Sequence, residues 1–186
     1  MDATLPAFDF SAETARFHSR AALLARKAAL RIELAPGISF QPETAESVAD
    51  QVAETLMAEG KSPSTVDPAE LAEVQASFAV LAPRREPGFI SLAATLMLAI
   101  PDHEREAKLE ALRGFPESLL LELEDGQRLA PEVDRGSAGP EDRLPSVLAL
   151  RYRIPEGQNP TALLSEHSAL RGRWDTVSLT PWPLAF

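Results

Sequence analysis

Between Phe89 and Ile100 the chain reads Phe-Ile-Ser-Leu-Ala-Ala-Thr-Leu-Met-Leu-Ala-Ile, an apolar run interrupted only by Ser91 and Thr95. It is too short to span a bilayer and too continuous for a strand with one wet face, so it predicts a strand covered on both faces. Pro101 and Asp102 stop that strand and open a helix, with Asp102 as the expected N-cap and Glu104 and Glu106 near the positive helix end. Leu109 and Leu112 are placed inward and Gly114 supplies the stop. Leucines then alternate with Glu122 and Glu124 up to the Asp125-Gly126 pair, a dipeptide suited to positive φ at both positions of a tight hairpin turn.

The same reading extends to both sides. Ser11 can cap a helix to about Leu30, with Phe17, Ala21, Leu24, Ala25 and Ala28 on its apolar sector and His18 beside them. Ile32 and Leu34, a Pro36-Gly37 turn, then Ile38 and Phe40 predict a short hairpin. A second helix starts near Glu43 or Thr44 and ends at Gly60, with Val48, Val52 and Leu56 inward. Asp67, Pro68 and Glu70 form a strong start signal for a third helix, whose seam is Leu71, Val74, Phe78 and Leu81 and which Pro83 ends. Arg84 to Gly88 leads back to the central strand, and Asp134 to Leu144 is a surface loop. Ser146 to Ile154 predicts a strand with Arg151 and Arg153 on one side and Tyr152 and Ile154 on the other. Asn159-Pro160 repeats the cap-then-proline device and predicts a short helix to about Leu170. A last strand carries Trp174, Thr176 and Ser178 on one face, and the apolar terminus Pro181 to Phe186 is expected to pack back on its own domain.

Five helices and about seven strands, many joined as hairpins, predict an α+β fold in one domain over 1–186, a largely antiparallel sheet covered by helices as a single layer pair. The 186 residues suffice for one well-buried core. Hydrophobic residues at 45% and charged residues at 25% suit a folded globular chain. A formal charge of -10 disfavours nucleic acid and anionic membrane surfaces, whose phosphates would be repelled. The absence of cysteine excludes disulfides, thiolate metal sites and thiol catalysis by this chain. The N-terminus has no signal-peptide pattern and no apolar run reaches eighteen residues, so the bacterial cytoplasm is the expected location.

Charge on the helices is patterned. Arg16, Arg20, Lys27 and Arg31 fall within about 60° of one another at 100° per residue, a basic stripe on an acidic protein. Glu46, Asp50 and Glu54 repeat at intervals of four as an acidic stripe on the second helix, and the simplest use of the two is to face each other. The alternative use of the basic stripe is docking an acidic partner. Arg16, Arg20 and Lys27, together with Trp182 and Phe186 of the apolar tail, are the residues expected at such an interface.

The residues that could carry chemistry are few. His18, His103 and His167 are scattered and form neither an i, i+4 pair nor a histidine-carboxylate cluster of the kind that holds zinc or iron along one helix face. Glu122 and Glu124 stand on one face of a strand about 7 Å apart, given two rises of about 3.3 Å, a spacing open to acid-base work but usual for a wet strand face. The expectation is no cofactor and no catalytic centre, with a small metalloprotein or enzyme built from the three histidines and carboxylates as the alternative.

Several pieces resemble a known family when taken together: Leu34-Ala-Pro36, Gln51 to Glu59, Phe78-Ala-Val-Leu-Ala-Pro83, Ala94 to Met97 with Pro101-Asp102, and Ser146 to Tyr152. In order and spacing they resemble the bacterial domain-of-unknown-function family numbered three thousand five hundred and one, from the first helix to the last strand. Members of that family are commonly encoded beside a rubrerythrin-like di-iron protein and an iron–sulfur oxidoreductase. The resemblance therefore implies an accessory role in electron transfer or oxidative stress, as the partner of such an oxidoreductase or of a biosynthetic enzyme encoded nearby. The chain departs from the family pattern at Gly37 and Leu148, where the family carries histidines, and at Phe78-Ala79, where it carries a Tyr-Asn pair. If those polar groups form a site, this chain is a member that has lost it.

Overall fold

The computed structural model describes residues 25, 28–61, 65–134, 144–165, 167 and 176–178. Helical residues 28–30 lead into a hairpin of β1 (Ile32–Ala35) and β2 (Ile38–Pro42), turned by Pro36 and by Gly37 at φ +77°. Thr44 caps α1 (Ala45–Ala58): its hydroxyl accepts from the Ser47 amide at 3.0 Å while the Ser47 hydroxyl accepts from the Thr44 amide at 2.8 Å, a reciprocal box that satisfies two otherwise orphaned donors. Asp67 caps α2 (Pro68–Phe78) through the Ala69 amide at 2.8 Å, as its sequence predicts, and a 3-10 turn at Ala79–Leu81 precedes the proline that ends the helical stretch.

The apolar run forms β4 (Phe89–Leu98), covered on both faces over most of its length. One edge pairs with β8 (Val147–Pro155) from Phe89 to Met97. The other edge is shared: β2 takes Ala94 to Leu98 and the short strand β3 (Arg84–Glu86) takes Phe89 to Ser91. With β7 (Glu132–Asp134) beyond β8, the strands form one antiparallel six-stranded sheet of order β1-β2-β4-β8-β7, with β3 beside β4.

A second antiparallel sheet has the order β10-β9-β5-β6, built from β5 (Leu119–Leu123), β6 (Arg128–Leu129), β9 (Pro160–Ser165) and β10 (Thr176–Ser178). The α+β expectation holds, with the strands divided between two sheets. Alternation explains the packing, because every second residue of a strand points the same way. Phe40, Leu92, Ala94, Leu96, Leu148, Leu150, Tyr152 and Ile154 share a core with Leu119, Leu121, Leu123 and Leu163 of the second sheet. α3 (Asp102–Ala111) and the segment after it add Leu112 and Phe115 to that core. The opposite face of the first sheet meets α1, where Val48, Leu81 and Ala93 pack together with Phe78 and Ala149 against them.

Three local expectations differ from the structure. Pro160 to Ser165 is a strand and not a helix: it pairs with β5, and Pro160 stands at the first strand position, where its missing N–H is tolerated. Pro101, and not Asp102, is the N-cap of α3, and it supplies no side-chain cap. The hairpin after β5 has positive φ at Gly126 alone, +82°. The Gly126 amide donates to the Leu123 carbonyl at 2.9 Å and the Leu123 amide to Gln127 at 2.8 Å, so the loop is a three-residue turn with a glycine bulge. The expected surface loop lies, apart from Asp134 and Leu144, outside the described residues, as does the apolar terminus.

Candidate functional site

β2 ends at Pro42, opposite Ala94, and β3 begins further along the same edge of β4. In the gap the Glu43 amide donates to the Ala93 carbonyl at 2.9 Å, so the backbone stays on the sheet for one more residue before Thr44 turns it into α1. Strand alternation puts Gln41 and Glu43 on the helix-facing side, and Glu43 is 1% exposed. Its Oε1 accepts from the Thr95 hydroxyl of β4 at 2.5 Å and from Gln41 Nε2 at 3.4 Å. Its Oε2 accepts from the Ser47 hydroxyl at 2.5 Å and from Gln51 Nε2 at 3.0 Å. Ser47 and Gln51 lie one turn apart on α1, so a single carboxylate joins the helix to two strands.

A carboxylate offers about four lone-pair positions, and here four donors meet them. With 1% of the residue exposed and four donors on its two oxygens, Glu43 ties the helix layer to the sheet. The acidic stripe expected on this helix is divided accordingly: Glu46 is exposed, Glu54 half-buried and Asp50 buried.

A second polar group occupies the far end of the same sheet face. Register places Arg84 of β3, Ser91 of β4 and Arg153 of β8 in one row. Arg151, two residues back along β8, donates from Nη1 to the Ser91 hydroxyl at 2.6 Å and from Nη2 to the Val80 carbonyl. Burial holds the Arg151 guanidinium below its ordinary pKa, and the nearby Arg84 charge acts in the same direction, opposed by Glu86, Glu132 and Asp134. Glu86 lies between two arginines, 3.5 Å from Arg84 Nε and 3.3 Å from Arg153 Nη2. The Arg153 guanidinium sits 4.7 Å from the centroid of the Phe89 ring.

The other candidate groups stay apart. His103 is exposed in the first turn of α3, 3.2 Å from Glu104. His167 lies with Nε2 2.9 Å from the Arg113 carbonyl and its ring edge-on to Phe115 at 5.8 Å. Glu122 pairs with Arg128 across the hairpin at 3.2 Å, while Glu124 in the turn accepts from Asn159 at 3.3 Å. Among the described residues no group of three histidine, aspartate or glutamate side chains is placed to hold a metal ion. His18 and the expected interface residues Arg16, Arg20, Lys27, Trp182 and Phe186 lie outside the described residues. Sequence reasoning passed over Glu43. The available signal was the pair of polar residues, Ser91 and Thr95, inside a strand expected to be covered on both faces, since each needs a buried partner.

These features define an α+β protein of two antiparallel sheets whose best-formed buried polar cluster binds its own layers together. The chain belongs to the family described as protein of unknown function (DUF3501), which it matches over residues 11–173. It is also similar in fold to a crystal structure of a novel protein of unknown function from Burkholderia pseudomallei, with a TM-score of 0.66 and 16% identity, covering 91% of this chain and 86% of that one. No curated protein matches the chain. Among the described residues no helix is long and apolar enough to cross a membrane.

Proposed function

We propose that this protein is a non-catalytic accessory protein of the bacterial cytoplasm that acts by binding another protein, an oxidoreductase or biosynthetic enzyme encoded nearby. The observation that carries the reading is the use made of Glu43: the most deeply placed carboxylate cluster in the described fold is saturated by four donors of the same chain. His167 and Glu122 are likewise engaged within the chain, by Arg113 and Arg128. Side chains suited to contact, by contrast, stand outward: Phe89 and Val147 are 36% and 59% exposed on neighbouring strands. Arg16, Arg20, Lys27, Trp182 and Phe186 join them as proposed contact residues. An iron–sulfur oxidoreductase or a di-iron protein, each of which carries its own redox centre, is the proposed partner in an electron-transfer or oxidative-stress setting.

The test is size-exclusion chromatography and calorimetry of the purified chain with each of those two proteins from the same gene neighbourhood. A complex with a dissociation constant in the micromolar range or tighter is expected, roughly -8 kcal/mol. Independent elution of all components, with no heat of mixing, overturns the proposal.

A further inference from the structure

We infer that the end of the six-stranded sheet where Phe89 meets Arg84, Arg151 and Arg153 is a docking surface for an acidic segment of a partner protein; this rests on the reading of the chain as a partner protein. Three arginines converge on one sheet face around the fully buried Ser91, in a chain whose formal charge is -10. Arg151 turns inward, to Ser91 and the Val80 carbonyl, and so props the site without reaching out of it. Arg84 and Arg153 are the outward cations, with side chains 40% and 49% exposed.

The negative charge already beside them is loosely held. Glu86 divides its two oxygens between the two arginines at 3.5 and 3.3 Å, longer than the roughly 2.7–2.9 Å of a well-formed charged hydrogen bond. Arg84 Nε itself is buried against Glu86 and makes no hydrogen bond, so the exposed part of the Arg84 side chain, and not Nε, is what an incoming carboxylate can meet. Glu132 and Asp134, on β7 beyond β8, act on Arg151. Phe89 supplies the apolar part: Arg153 stacks on its ring at 4.7 Å and 36% of the residue stays exposed. Arginine beside a partly exposed aromatic is the composition that concentrates binding energy in protein interfaces.

The occupant follows from this chemistry. Guanidinium forks match carboxylates in two-point contacts, and the exposed ring calls for an apolar side chain next to them. Two outward arginines offer a nucleic acid too few phosphate contacts, whereas they suffice for a short segment with one or two carboxylates. The segment that fits therefore carries carboxylates flanking an apolar residue, the former on Arg84 and Arg153 and the latter on Phe89.

The probe is a fluorescein-labelled hexapeptide of glutamates with leucine at every third position, titrated with the full chain and followed by fluorescence anisotropy at low ionic strength. Saturable binding that weakens as salt is raised is expected. R153E, R153Q and F89A should each weaken it by at least about tenfold, with thermal melts showing that the variants fold. R113E, which changes an exposed arginine at the end of α3, should leave it as it is. No binding by the wild-type chain, equal losses for R113E and R153E, or displacement by inorganic phosphate where chloride of the same ionic strength has no effect overturns the docking surface. If the chain binds the oxidoreductase or di-iron protein and R153E and F89A bind them as well as wild type, the surface falls and the proposed function stands. If the peptide binds as expected and neither protein does, the opposite holds.

Discussion

The Tyr152 hydroxyl of β8 donates at 2.9 Å to the Leu119 carbonyl of β5, carrying a hydrogen bond across the core from one sheet to the other. Tyr152 is fully buried and is among the largest side chains in that core. Its ring fills the space between the sheets while its hydroxyl meets the carbonyl of the fully buried Leu119, so one residue serves packing and polar satisfaction together. Replacing it by phenylalanine keeps the ring and removes the donor. Tyr152→Phe should therefore lower stability by about 1–2 kcal/mol in urea unfolding, whereas Tyr152→Ala, which also empties the space, should cost roughly 3–5 kcal/mol.

Burial drives the pKa of the Tyr152 phenol far above its ordinary value. The folded state thus keeps its proton at a pH where the unfolded chain has released it, so the unfolded state binds fewer protons and stability falls as pH rises. The contribution is complete below the unfolded pKa of about 10 and is lost above it at up to about 1.4 kcal/mol per pH unit. Urea midpoints taken between pH 8 and pH 11.5 should decline above pH 10 in the wild type, with a visibly shallower slope in Tyr152→Phe.

Glu43 predicts a different pattern of losses. Glu43→Ala removes the acceptor of the Ser47 and Thr95 hydroxyls and of the Gln41 and Gln51 amides. Ser47 keeps the Thr44 carbonyl at 3.1 Å and Gln51 is only partly buried, and each donor that finds no substitute costs roughly 1–3 kcal/mol. The total should be at least about 3 kcal/mol. Glu43→Gln retains one acceptor oxygen and turns the other position into a donor, so one of the two glutamine amides keeps its acceptor and the other loses it, while the hydroxyls can rotate. Its loss should be smaller than that of the alanine variant, and Ser47→Ala combined with either should be non-additive, since Ser47 belongs to both the cap and the carboxylate cluster. Denaturant melts of the singles and doubles supply the numbers.

What could be read from the sequence was what is decided locally. The long apolar run of β4, the alternation of Arg151, Tyr152, Arg153 and Ile154 in β8, and the Asp67-Pro68 start of α2 each reflect contacts within a few residues, and each stands where it was expected. β9 went the other way because its determinant is remote. Asn159-Pro160 carries a local helix signal, yet the segment is taken up by β5, and Asn159 itself contacts Glu124, 35 residues away. β3 was passed over because three charged residues between two prolines show no period at all; only the free edge of β4 makes them a strand. Glu43 and Thr95 are 52 residues apart, and a glutamate just before a helix looks the same in sequence whether it ends up wet or enclosed. The arginine cluster has the same cause, since Arg84 and Arg153 become neighbours only through the register of β4.

Two glycines with similar φ should respond differently to alanine. Gly126, at +82° in the hairpin turn, has open space where a Cβ would go, so Gly126→Ala meets backbone strain alone, roughly 1–2 kcal/mol. At Gly37, φ +77°, the same atom would come within 2.6 Å of the Ala99 carbonyl oxygen, and the Ala99 amide already donates to Gly37 at 2.7 Å. Gly37→Ala must push the β1–β2 turn away from the end of β4 in addition to straining its own backbone. It should therefore cost at least about 1 kcal/mol more than Gly126→Ala in thermal unfolding. Equal losses would mean that the turn moves aside freely.

Protection against amide exchange should follow the difference in burial between α2 and β4. In α2 no residue is buried, and its apolar side chains Leu71, Val74 and Phe78 lie only partly covered against Ala49, Val52 and Leu56 of α1. Within β4, Ile90 through Ala94 are buried without a break and paired on at least one edge. Opening α2 alone uncovers the α1 side chains beneath it and the Phe78 contact with the cluster of Val48, Leu81 and Ala93 but breaks no strand pairing, so its amides should exchange through a local event below the global unfolding free energy, while those of β4 exchange only on global unfolding. Asp67→Ala removes the cap on the Ala69 amide, worth about 1 kcal/mol. Its effect should appear as faster exchange confined to α2, by roughly fivefold, with the β4 amides slowed or hastened only as far as global stability changes. Hydrogen exchange followed residue by residue on both proteins measures this, and uniform acceleration across α2 and β4 would show instead that the helix opens only together with the sheet.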